Sequence, residues 1–380
     1  MKITRIFQLL AGLLTAPAVL AAPQFGAQSY ALGNGRYPVR LVGGADLSGD
    51  GLSDLVAMTD NGGVCLFTRR ADGSFAAGFV AQNAVFPYAV AIADFNRDGR
   101  ADIAYAVRGG VQLLLQNAGG FTAGALVTVP GGSQGMLVEG LVTGDFNGDG
   151  KADLALADND ELATGNPGSS LFIAYGRGDG SFDTARARAA SVLWPRKLFG
   201  LDANLDGRGD LLVGSAGGPI GLDRYDTTGA AFVHAEILAS GLDAIADAVS
   251  GDLNGDGKPD LALLMDSRTG PYLRLDQGDG AFNFTPHPQR IALPYPASGL
   301  RHGDFDNDGK PDLLVALQSG GPAVAALLRG RGDLTFEPPQ LIGGGFAAAG
   351  LARGDYDNDG KLDFALIDTR GRALTVYLQQ

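Results

Sequence analysis

Apolar residues along this chain come in short runs that recur in a fixed order. The run VAIAD at 90–94 enters an acidic, glycine-bearing turn, and ADIAYAV at 101–107 leaves it with apolar residues at almost every position. A glycine turn leads into GVQLLLQN at 110–117, and a second turn, NAGGF at 117–121, opens a fourth run. Short apolar runs bounded by Gly, Asn and Asp predict strands, and the tight turns predict hairpins. The turn-plus-Phe signal returns as ADGSF at 71–75, GDGSF at 178–182 and GDGAF at 278–282. The recurring Phe is expected to fill the core of each sheet.

The acidic turn occurs seven times: DLSGDGLSDLVAM from Asp46, DFNRDGRADIAYA from Asp94, DFNGDGKADLALA from Asp145, DANLDGRGDLLVG from Asp202, DLNGDGKPDLALL from Asp252, DFDNDGKPDLLVA from Asp304 and DYDNDGKLDFALI from Asp355. Successive starts lie 48, 51, 57, 50, 52 and 51 residues apart. A period of about fifty residues with four strands per repeat is that of a propeller blade. The expected fold is all-β, a seven-bladed β-propeller of four-stranded blades.

Each turn opens like an EF-hand calcium loop, yet position 12, Leu156 in the third copy, is not the Glu that an EF-hand requires, and a strand follows instead of a helix. Position 1 is Asp46, Asp94, Asp145, Asp202, Asp252, Asp304 or Asp355; position 5 is Asp50, Asp98, Asp149, Asp206, Asp256, Asp308 or Asp359. Position 3 offers Ser48, Asn96, Asn147, Asn204, Asn254, Asp306 or Asp357, and position 6 is always Gly. Calcium takes roughly six to eight oxygens, and this spacing turns alternate side chains inward while Gly permits the bend. Position 7 is expected to add a backbone carbonyl, from Leu52, Arg100, Lys151, Arg208, Lys258, Lys310 or Lys361. Position 9, which is Asp54, Asp102, Asp153, Asp210, Asp260, Asp312 or Asp363, is expected to replace the missing Glu. A plain turn needs one Asx residue and gains nothing from three mutually repelling carboxylates. Up to seven structural calcium ions are therefore expected, held most tightly by the loops from Asp304 and Asp355, which carry four carboxylates each.

The N-terminal stretch MKITRIFQLLAGLLTAPAVLAAP has the two cations, short apolar centre and small residues of a signal peptide, with cleavage expected after Ala21. Its apolar centre is too short to span a bilayer. Residues 22–380 are read as one exported propeller, secreted or periplasmic. Without Lys2 and Arg5 the balance is 27 − 42 = −15, which disfavours nucleic acid and anionic lipid as partners, and no membrane insertion is expected. Of 42 acidic residues only Glu139, Glu161, Glu236 and Glu337 are Glu, a skew that suits turns and metal loops. With Cys65 as the one cysteine, no intrachain disulfide forms.

After Asp355 the chain supplies the strands LDFALID and RALTVYLQQ, one strand short of a blade, while PQFGAQSYALG after the leader has the content of a fourth strand. The N-terminal segment is thus expected to complete the last blade and leave no open edge. The seven loops resemble the FG-GAP/VCBS repeat family, whose calcium-loop propellers include the N-terminal domain of integrin α subunits. Of the pieces that name the family, Phe199-Gly200 survives in one blade and GGP at 217–219 and 320–322 echoes the rest. The resemblance implies the propeller and the metal; the family hosts adhesion modules, carbohydrate binders, enzyme accessory domains and a few lyases.

Strand parity puts the metal loops on one face and the links between blades on the other, together with the long turn at 158–169. Four links pair an aromatic residue with proline, at Tyr37, Tyr88, Trp194 and Tyr295, with Arg196, Lys197, Arg301 and His302 following. Rings around a propeller mouth stack on sugars or anchor a peptide, or else pack between blades. The expected role is a monomeric, non-catalytic binding or adhesion scaffold for a protein or glycan. The alternative is a calcium-assisted polysaccharide lyase, in which Lys or Arg takes the proton beside a uronate carboxylate. His234, His287 and His302 fall at unrelated places in their blades, and no nucleophile elbow is present. The RGD triplets at 208–210 and 331–333 belong to a metal loop and a hairpin turn.

Overall fold

The strand that leaves each acidic turn is apolar on both sides, and both sides are buried: Asp54–Thr59, Asp102–Val107, Asp210–Ser215 and Asp312–Leu317 are enclosed along their whole length. Such a strand needs a neighbour on each edge and a layer on each face. The computed structural model, which describes residues 22–31, 38–82, 89–128, 138–158, 171–183, 186–188, 195–215, 220–226, 231–239, 243–318, 321–344, 347–368 and 373–380, supplies both. Seven antiparallel sheets form, six of them with their strands in chain order; the first runs Pro38–Ala45, Asp54–Thr59, Val64–Arg69, Phe75–Ala81. The fifth adds a short strand, Ile291–Ala292, beside Tyr272–Gly278. Among the described residues there is no helix.

The first strands, Pro38–Ala45, Val90–Ala93, Val138–Gly144, Pro195–Leu201, Ala244–Gly251, Ala297–Gly303 and Ala348–Gly354, touch one another in a closed cycle. They wall a central channel, and the fold is the expected seven-bladed propeller. Six of them carry a register irregularity near their start, as between Pro38 and Arg40 or Ile245 and Asp247. Bulges of this kind sharpen the local twist and re-aim side chains.

The core is a ring of interfaces. Seven buried apolar clusters each draw side chains from two adjacent blades. The second residue of every acidic loop belongs to one of them: Leu47, Phe95, Phe146, Ala203, Leu253, Phe305 and Tyr356 all lie buried against the next blade. The recurring turn Phe meets this residue from the neighbouring blade, as Phe182 meets Phe95 at 5.8 Å and Phe75 meets Tyr356 at 6.0 Å between ring centres.

The seventh blade closes across the chain ends. Phe25–Ala31 pairs antiparallel with Ala373–Gln379, from Phe25 opposite Gln379 to Ala31 opposite Ala373. Phe25 packs edge-on to Phe364 at 5.0 Å, and Tyr30 reaches across to Phe75 of the first blade at 5.4 Å. The seam also needs Gly43: a Cβ there would come within 2.3 Å of Leu55 Cδ2 and 2.9 Å of the Tyr356 hydroxyl.

Tyr356 thus anchors the seam by its ring alone, since its enclosed hydroxyl has no hydrogen-bond partner. Replacing it by Ala should cost about 3–5 kcal/mol through the cavity left between the last and first blades. Tyr356→Phe, which removes only an unsatisfied hydroxyl, should be neutral or stabilising by about 1 kcal/mol. Urea unfolding of the two variants checks the pair; a Phe variant as damaged as the Ala variant would contradict this account.

Candidate metal centres

All seven acidic loops adopt one conformation. Gly at position 6 has φ between 77° and 85° in every copy. Position 4 is left-handed too, whether it is Gly49, Gly148 and Gly255 or the non-glycine Arg97, Leu205, Asn307 and Asn358. Two carboxylates hold this curl. The position-1 Asp accepts the position-6 N–H on Oδ2 at 2.7–3.0 Å in all seven loops. The position-5 Asp accepts the position-7 N–H on Oδ1 at 2.8–3.0 Å, again in all seven. That bond seats Leu52, Arg100, Lys151, Arg208, Lys258, Lys310 and Lys361. In the third, sixth and seventh loops the Lys side chain also pairs with position 5, at 2.9–3.0 Å.

The position-9 Asp does something the sequence reading did not foresee. It is 0–2% exposed in every loop. One oxygen accepts the N–H of the buried position-2 residue at 2.7–3.0 Å. In at least six loops the other oxygen accepts an N–H at the end of the third strand, from Arg69, Gln116, Gly176, Gly278, Gly330 or Gln379. The side chain clips loop entry to sheet, whatever it contributes to a cation. Its position gave a signal, for a carboxylate opening an apolar strand is buried and must find donors. Burial pushes Asp153 and Asp312 up to about 7 and Asp363 to about 6; the two amides oppose this, and neighbouring loop carboxylates add to it.

Carboxylate oxygens converge in two loops. Ligand atoms of Asp304, Asp306 and Asp308 lie within 4.8 Å of one another, as do those of Asp355, Asp357 and Asp363. These are the two loops with an Asp at position 3. In the last, Asp355 Oδ1 is enclosed and has no hydrogen-bond donor, an orphaned anionic oxygen facing other carboxylates. The donor set is all oxygen, and each clipped carboxylate oxygen keeps a second lone pair, so these clusters fit a hard divalent cation such as calcium.

The aromatic links are mostly outside the described residues: Tyr37, Tyr88 and Trp194 lie there, as do the side chain of Arg196 and most of the long turn at 158–169. Tyr295 is half-buried and packs on the cluster between the fifth and sixth blades. His302 is not at the link face. It sits beside Gly303, which pairs with Asp312, five residues and about 16 Å along the strand from the link. Its ring lies against Gly251, where a Cβ would approach Nε2 to 2.8 Å. Burial first, then the charges of Arg353 and Arg301, push it down to about 4. Arg301 pairs with Asp247 at 3.1 Å.

The FG-GAP-like repeat family matches residues 46–105, 94–156, 202–263, 252–315 and 304–366, and each of the seven acidic loops falls inside a matched segment. No curated protein matches the sequence. Among solved structures, a chain from the crystal structure of BBS1N in complex with ARL6DN, soaked with lead, superposes with a TM-score of 0.61 at 11% identity, over 95% of this chain and 98% of that one. At that identity the likeness concerns the fold alone. The repeat matches cover well over half of the sequence, and with seven blades hinged on one acidic loop each, the chain belongs to the FG-GAP-like repeat family.

Proposed function

We propose that this protein is exported, fills its acidic loops with calcium and works as a rigid, non-catalytic scaffold that binds a protein or glycan. A propeller of FG-GAP-like repeats is a binding scaffold in general. The observation that carries the calcium reading is the convergence of carboxylates at Asp304, Asp306 and Asp308 and at Asp355, Asp357 and Asp363, with one enclosed oxygen lacking a donor. Export rests on the N-terminal leader.

Bound calcium supplies charge neutralisation. Up to seven dications would bring about fourteen positive charges to a chain whose exported form carries −15. Because the loop's second residue is an inter-blade plug, a loop held by metal also holds the packing of the ring. A ligand bound only by the folded state stabilises by about 2.7 kcal/mol per site at a hundred times its dissociation constant.

Calorimetric titration of metal-stripped protein with calcium should give saturable heat and a raised melting temperature. Asp306→Ala and Asp357→Ala should each remove one of the tightest sites and lower that gain by several degrees. An absence of heat together with an unmoved melting curve would end the calcium reading. Binding of glycans and of proteins, with and without EDTA, then tests the scaffold.

The sign of the pH dependence should differ between the two forms. In metal-free protein the raised folded-state values of Asp153, Asp312 and Asp363 mean that the folded state keeps protons that the unfolded chain has already released. Stability from these groups therefore rises as the pH falls from about 8 to about 5. Below about 4 the trend turns, because Asp46, Asp149 and Asp359 are held under the usual carboxylate range. With calcium bound, protons compete with the cation, and stability should fall over the same upper interval. Melting temperatures from pH 5 to 8, with and without EDTA, read both slopes.

A further inference from the structure

The channel concentrates cations in a chain that is otherwise strongly acidic. Two cavities of about 420 and 320 Å³ are walled largely by the first strands and share Arg40, Leu141, Leu198, Phe199 and Asp247, so they adjoin along the channel. The second, toward the acidic-loop ends of the first strands, is also lined by Arg301 and Arg353. Arg40 is the first paired residue after the bulge in its strand, and Asp247 holds the same place in its own.

Among the described residues the one carboxylate lining these cavities, Asp247, is already engaged. Asp247 Oδ2 accepts the Leu300 N–H at 2.9 Å and the Arg301 guanidinium at 3.1 Å, while Oδ1 accepts the Ala248 N–H at 3.0 Å. Among the described residues neither Arg40 nor Arg353 has a carboxylate within ion-pair distance, and Arg40 Nε is enclosed without an acceptor. Arg353 lies over Gly303, where a Cβ would come within 2.8 Å of its Nη1, so the missing side chain makes room for the guanidinium. Burial holds Arg40 below the usual arginine range; the Asp247 charge opposes this and Arg301 adds to it.

Among the described lining residues, three half-buried guanidiniums and the Lys197 ammonium accompany one carboxylate, an excess of positive charge of which Arg40 and Arg353 have no ion-pair partner. Unpaired buried charge is costly, and an incoming anion would relieve it. The guanidinium fork matches carboxylates and other planar or tetrahedral oxyanions in two-point fashion. Cavities of a few hundred cubic ångströms with apolar walls and few polar groups are the usual form of small-ligand sites. We infer that the channel binds a small organic oxyanion, with its charged group at Arg40, Arg301 and Arg353 and its body against Leu141, Leu198 and Phe199. The site lies on the channel wall, on first strands that precede the acidic loops.

Calorimetry on the calcium-loaded full chain tests it, with sulfate, benzoate and glucuronate as probes and glucose as the neutral control. At least one anion should bind saturably and glucose should not. Arg40→Ala and Arg353→Ala should each weaken that anion tenfold or more, while melting at or above the parent temperature in its absence, because each removes a half-buried guanidinium that has no ion-pair partner among the described residues. Arg353→Lys, which keeps the charge and loses the fork, should fall between and serves if the Ala variant does not fold. Absence of binding by all three anions, or binding by the arginine variants as tight as the parent's, would overturn the site.

Discussion

The structure depends most on one carboxylate per blade, the buried Asp at the ninth loop position. Its two oxygens hold the amide of the loop's second residue and, in at least six blades, an amide at the end of the third strand. The second residue is the side chain that fills the gap to the next blade. A single side chain therefore links the curl of the acidic loop, the pairing of its own sheet and the packing of the neighbouring one. A buried anion between two amides is a strong and directional tie. It is also why the loop cannot drift far in register without unplugging an interface.

Charge is distributed with the same economy. Carboxylates gather where the first strand turns into the second, and each cluster is compressed by backbone N–H groups pointing inward. The unpaired guanidiniums sit on the walls of the channel. The two populations are only a few residues apart along the chain, since Arg353 precedes Asp355 and Arg301 precedes Asp304, yet the arginines lie on first strands that end at Gly354 and Gly303 while the aspartates open the loops that follow. That boundary between strand and loop lets one short segment serve a cation-seeking loop and an anion-seeking wall.

Much of this was legible in the sequence, because the repeat states its own period. Seven copies of an acidic loop about fifty residues apart, each followed by a strand and a glycine turn, specify the blade count, and the missing last strand points to the segment at 25–31. The part that could not be read is tertiary. Nothing in the spacing of Asp153 or Asp312 shows that both oxygens are taken by amides, because one donor lies on a strand more than fifteen residues away. The left-handed Arg97, Leu205, Asn307 and Asn358 carry no glycine to announce them. Arg40, Asp247, Arg301 and Arg353 come from four blades and form no motif, so only closure of the ring brings them together. Tyr295 and His302 are near in sequence, yet the strand Ala297–Gly303 carries them apart in space.

The seam between Phe25–Ala31 and Ala373–Gln379 has a bearing on how the molecule is made. The first of these strands leaves the ribosome hundreds of residues before its partner exists, so its pairing is among the most non-local contacts the fold contains. A segment that must wait that long has to resist premature self-association. FGAQSYA, with Gly, Gln and Ser between its aromatic ends and most of its length exposed even when paired, is a poor candidate for sticking to copies of itself. The clasp of the ring is thus built from a strand mild enough to stay idle until the rest of the chain arrives.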